Sequence, residues 1–167
     1  MTELNQPLSQ SELTELEIGA FMGPHIKRAR IALVLVGILY AVVAYLNYDD
    51  ITRVREMLHS MSGSEPGVAK ARHAVDLAYY YVLFTGFAGV ASIVLAAIAG
   101  TKATFAVYAA TAIFAAHTLF QVYLGGVEAL LSWQFWLIAI IIGMGFQAAW
   151  KADQLRKERS LPQAMAL

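Results

Sequence analysis

Apolar residues in this chain gather into four long runs, with polar residues collected between them. The runs are "IALVLVGILYAVVAYLNY" (31–48), "LAYYYVLFTGFAGVASIVLAAIAG" (77–100), "ATFAVYAATAIFAAHTLFQVYL" (103–124) and "ALLSWQFWLIAIIIGMGFQAAW" (129–150). Each approaches or exceeds the roughly 20 residues that a helix needs to cross a hydrocarbon layer, and none contains Lys, Arg, Asp or Glu. Backbone groups in lipid must be bonded within their own segment, so all four runs are predicted as helices. The alternation of apolar and polar residues that marks an outer-membrane barrel strand is missing.

The polar stretches sort into three kinds. Residues 1–26 form a leader in which Ser9 and Glu12 have capping-box spacing and Leu13, Leu16 and Ala20 recur at helical intervals. A short amphipathic helix is expected there, ending at Gly23-Pro24; its charges, Glu12, Glu15 and Glu17, have the wrong sign for anionic headgroups. Residues 49–76 are the largest connection. Ile51, Val54, Leu58 and Met61 make one helical stripe, Val68, Ala71, Val75 and Ala78 a second, and "SGSEPG" a turn between them. Helices 1 and 2 are therefore expected to continue past the apolar layer and zip together as an antiparallel hairpin, reaching about 18 Å outward. The remaining connections, 101–102 and "GGVE", are minimal and force antiparallel neighbours.

The architecture read from this pattern is an all-α integral membrane protein. It is an up-down four-transmembrane-helix bundle (27–150) with an extramembrane helical hairpin and a basic tail (151–167). A signal peptide is a poor account of the first run, because both the stretch before it and its apolar core are too long. Close packing in lipid needs small residues. Ala88, Ser92, Ala96 and Gly100 in helix 2, Ala139 and Gly143 in helix 4, and Gly37 with Ala41 in helix 1 supply them. Aromatics near the run ends (Trp133, Trp136, Trp150, Tyr45, Tyr48, Tyr79, Tyr80 and Tyr123) resemble interfacial belts.

Charge sets the orientation. Lys27, Arg28, Arg30, Lys102, Lys151, Arg156, Lys157 and Arg159 fall on one side, against Arg53, Arg55, Lys70 and Arg72 on the other. The two-to-one bias puts both termini in the cytoplasm, and a bacterial inner membrane is the expected location. Composition agrees: 59% of the 167 residues are hydrophobic and 14% charged, where soluble domains carry about a quarter. Twelve basic and twelve acidic residues cancel, leaving no field to attract nucleic acid. Cysteine is absent, which removes disulfides, thiol nucleophiles and Cys-ligated metals from consideration.

Candidate chemistry is sparse. His117 and Gln121 lie about 40° apart on helix 3, a shared face, and Thr104, Thr111 and Thr118 form a heptad stripe about 100–140° away, with Tyr108 just beyond. Polar groups inside a membrane face the bundle interior, and are either interhelical hydrogen-bond clasps or ligand and proton sites. A second group, Asp49, Asp50, His73, Asp76 and Glu128, gathers at the outer ends of the helices, with Asp76 expected opposite Glu128. Imidazole and carboxylates are the donor types of a divalent metal or quinone-headgroup site, while polar residues also simply mark where a membrane ends. His73 and His117 are expected about 15 Å or more apart along the bundle, a poor bis-His haem pair. No phosphate loop, metalloprotease motif or nucleophile–base arrangement is present, and no cofactor is expected.

The leading functional expectation is a structural or accessory membrane protein. It would work through contacts with other copies or with a membrane partner, using Ile51, Val54, Leu58, Met61, Val68 and Val75. The alternatives are an oligomeric channel or transporter with its pore between copies, and a membrane redox or metal-binding subunit.

Overall fold

The computed structural model describes residues 10–61 and 66–164, with side chains over 22–61 and 67–157. Ser9, the side chains of the leader's Glu12, Glu15 and Glu17, and the Ser62–Glu65 turn lie outside the described residues. The chain is all-helical there: α1 (Gln10–Ser60), α2 (Pro66–Ile98), α3 (Ala103–Gly125) and α4 (Trp133–Ala164), with a 3₁₀ turn at Val127–Leu131. Each of the four helices is long and apolar enough to cross a membrane.

The expected stop at Gly23-Pro24 is corrected: α1 runs through Pro24 as one helix of 51 residues, about 76 Å long at 1.5 Å per residue. A proline removes a single N–H from the ladder, and here the flanking turns carry the helix across it. At the other end of the hairpin, Pro66 opens α2, where its missing N–H has no partner to lose. The expected fourth run also starts late. Gly126, at φ 70° and ψ −173°, turns the chain after α3 in a conformation that suits glycine alone. Residues 127–131 then wind as the 3₁₀ turn, and the Ser132 hydroxyl accepts the Phe135 N–H at 3.3 Å to cap α4.

The helices form a ring in which α1 packs on α2 and α4, and α3 on α2 and α4; α1 also touches α3 across the middle, while the α2 and α4 backbones are not neighbours among the described residues. The interior is rich in alanine. Ala29, Ala96, Ala99, Ala106, Ala110, Ala148 and Ala149 form one buried cluster with Leu33, Leu95 and Val107. Val36, Tyr40, Ala88, Ile138 and Ile142 form a second. Large apolar side chains instead cover the outside: Ile38, Val42, Phe87, Val90, Phe105, Leu119 and Met144 are all exposed.

Small interior residues allow close backbone approach, most tightly where Gly37 meets Gly89. A Cβ on Gly89 would lie 2.9 Å from the Gly37 carbonyl oxygen and 3.1 Å from the Ala41 nitrogen. Helix 4 differs from expectation, since a Cβ on Gly143 would meet nothing within 4 Å, whereas Gly145 faces Ala32. The C-terminal end of α2 is closed by a side chain from α1. The turn N–H groups of Ala99, Gly100 and Lys102 bond to Leu95, Ala97 and Ile98, passing over Ala96, and the Ala96 carbonyl accepts Arg30 Nε at 3.1 Å. A cation is well placed against the carbonyls at a helix C-terminus.

Candidate functional site

Two polar arrangements stand out, one inside the bundle and one on the hairpin. The inner one is set by the face of α3 that carries Ala106, Val107, Ala110 and His117 inward at helical spacing. His117 is 5% exposed, and its Nε2 lies 3.0 Å from Thr85 Oγ1 on α2. The Thr85 hydroxyl has one proton and directs it to the Tyr81 carbonyl at 2.8 Å. That network assigns the Nε2–H tautomer, with His117 donating and Thr85 accepting.

Aromatic rings enclose the imidazole. Tyr40 of α1 sits 4.7 Å away between centroids, Tyr81 of α2 5.0 Å, and Phe84 of α2 6.2 Å. Phe120 packs edge-on against both Tyr81 and Phe84. Three helices thus meet on one ring. The Tyr40 hydroxyl is buried beside it with no hydrogen-bond partner among the described residues, and so is the Thr118 hydroxyl.

The other intramembrane polar candidates stand apart from this ring. Gln121 is half-buried and makes no hydrogen bond among the described residues. Thr111 bonds back to the Val107 carbonyl at 2.8 Å, and Tyr108 is exposed, edge-on to Phe146 at 5.4 Å. His73 lies twelve positions before Thr85 on α2, so the His73 and His117 imidazoles are separated by about 18 Å along that helix.

The outer group is also rearranged. Asp76 pairs with α1: its Oδ1 accepts Arg55 Nε at 2.7 Å and stands 3.2 Å from His59 Nε2. Arg55 in turn lies over the Tyr79 ring, 4.3 Å from its centroid. One turn away Arg72 donates Nε to the Leu58 carbonyl at 2.8 Å and a terminal N–H to the Met61 carbonyl, filling acceptors that the end of α1 leaves open. Beyond the apolar run, the Asp76 carboxyl is held below the ordinary carboxylate range, first by the Arg55 hydrogen bond and then by His59. The expected juxtaposition with Glu128 is corrected: Glu128 is exposed on the 3₁₀ turn, whose backbone neighbours among the described residues are α3 and α4 and not α2. Asp49 and His73 are exposed as well. Among the described residues, no three His, Cys, Asp or Glu side chains come together as a metal-holding group.

The hairpin seam is consequently more polar than its sequence stripe. Ile51, Leu58, Val68 and Val75 are half-buried in it, with Arg55, Arg72 and Asp76, while Val54 and Met61 point outward with Met57. The signal for this was present in the sequence as two i,i+4 pairs, Arg55 with His59 and Arg72 with Asp76, each on one helical face. No family model, curated protein or solved structure matches the chain. What the two arrangements do is join helices: the first ties α3 and α1 to α2 at mid-bundle, and the second fixes α1 and α2 beyond it.

Proposed function

We propose that this chain crosses a membrane four times, with both termini cytoplasmic, and acts through protein contacts made by its projecting hairpin. The observation that supports the membrane reading is the distribution of side-chain size, an alanine-rich inside with many of the Ile, Leu and Phe side chains exposed outside. A surface that apolar is a liability in water and an ordinary one in lipid. Exposed markers on the four helices agree on a thickness. From Arg28 to Tyr45, from Tyr80 to the end of α2 at Ile98, from Phe105 to Tyr123 and from Trp133 to Trp150 is in each case about 26 Å of helix. That is close to the roughly 30 Å of a bilayer's hydrocarbon core.

The contact reading rests on the hairpin. It is tied together by Asp76, Arg55 and Arg72, yet exposes Val54, Met57 and Met61 on one face of α1, with Met57 at 59%. Methionine is adaptable at contact surfaces. The occupant that fits is a second copy of this chain. Exposed Asp50, Arg53 and Glu56 put both signs beside the stripe, and a formal net charge of zero leaves copies without mutual repulsion. The test is the mass of the protein in lipid nanodiscs, for the wild type and for Met57→Asp. A wild-type dimer that becomes monomeric in the variant, with unchanged helix content, supports the reading. A wild-type monomer, or a dimer indifferent to Met57→Asp, overturns it.

A further inference from the structure

Between the first turns of α1 past Met22 and the last apolar turns of α4 lies a groove of about 260 Å³, open along its side. The two helices run in opposite directions, so their sequences grade the groove the same way. One end is polar, lined by Arg28, Lys151 and Gln147; the other is apolar, lined by Leu35, Ile141 and Met144. From Arg28 to Leu35 is about 10 Å of helix, and from Lys151 to Ile141 about 15 Å. Neither Arg28 nor Lys151 has an ion-pair partner among the described residues. The acid two positions beyond Lys151, Asp153, is tied to Lys157 at 3.0 Å. Among the described residues the groove mouth is thus a site of uncompensated positive charge above an apolar floor. A second hollow around Lys151, Trp150 and Gln154 continues it along α4.

We infer that this groove binds one anionic glycerophospholipid, its phosphate between Arg28 and Lys151 and an acyl chain along Leu35, Ile141 and Met144. Guanidinium and ammonium groups are strong phosphate donors, and Gln147 adds a neutral donor at the level where a glycerol ester begins. Basic pockets between membrane helices on the cytoplasmic side have this chemistry. The inference rests on the membrane-spanning reading, and the two can fail separately.

The experiment is native mass spectrometry of the detergent-extracted protein after reconstitution in phosphatidylglycerol or phosphatidylcholine. One phosphatidylglycerol should be retained per chain, at least tenfold more often than phosphatidylcholine. The Arg28→Gln/Lys151→Gln variant should lose that preference, and so should Ile141→Trp, which fills the apolar floor while leaving the charges. Helix content by circular dichroism reports whether each variant folds. Equal retention of the two lipids overturns the site. Displacement of the lipid by millimolar inorganic phosphate or glycerophosphate would overturn it too, since the ligand would then be a soluble phosphate. A protein washed from membranes by alkaline carbonate contradicts the spanning reading itself; one that stays in the membrane without lipid preference contradicts only this inference.

Discussion

His117 donates to Thr85 from 32 positions away, and the bond is the point at which α3 is keyed to α2. Membrane interiors reward such a bond modestly, by about 0.6 kcal/mol on average, because the alternative state also finds partners. A double-mutant cycle of His117→Leu and Thr85→Val, read as unfolding free energy in detergent, is expected to give a coupling near that size. Solid-state nitrogen NMR should show a protonated Nε2 and an unprotonated Nδ1. A coupling of zero, or a protonated Nδ1 in a neutral ring, would remove the bond from the account.

Tyr40 makes the opposite prediction. Its hydroxyl is buried without a partner among the described residues, and an unsatisfied buried polar group costs about 1–3 kcal/mol. Tyr40→Phe keeps the ring against His117 and should leave stability unchanged or raise it by about 1 kcal/mol. A loss of stability would mean that the hydroxyl has a partner after all.

Gly89→Ala should destabilise the bundle by about 1–3 kcal/mol, because its Cβ would press on backbone atoms of Gly37 and Ala41, which yield only if α1 moves. Gly143→Ala is the control, with open space around the new methyl group. Thermal unfolding of the two variants should separate them; equal melting temperatures would contradict the tight crossing.

The four helices were legible because an uncharged apolar run in lipid has one backbone solution. His117 stood out for a similar reason, as a titratable side chain inside such a run. Thr85 did not, since a threonine in an apolar helix has no sequence mark of the partner it meets. The hairpin seam is legible only in part. Val54 and Met61 fit a stripe with Ile51 and Leu58, but Arg55 and Asp76 displaced them through a pairing that only the register between α1 and α2 creates. Register depends on the turn length and on both helices at once, and neither stripe alone encodes it.

Asp76 makes the hairpin sensitive to acid. Its folded carboxyl is held below the unfolded value of about 3.9, so the pairing contributes fully above that pH and is lost as pH falls through the lowered folded value. Because the chain has no cysteine, two introduced ones can carry spin labels without background. Labels at Arg53 and Ala74 should keep one narrow distance from pH 7 to pH 5 and broaden below about pH 3.9. Asp76→Asn should broaden the distribution already at neutral pH. A distribution unaffected by either change would show that the apolar seam alone holds the hairpin.

The same absence of cysteine makes the contact claim directly measurable. With Met57→Cys as the sole thiol, mild oxidation of native membranes should yield a disulfide-linked species of twice the chain mass. Lys70→Cys, exposed on α2 away from the stripe, should stay monomeric under the same oxidant. No dimer at position 57, or equal dimer at both positions, would contradict the account.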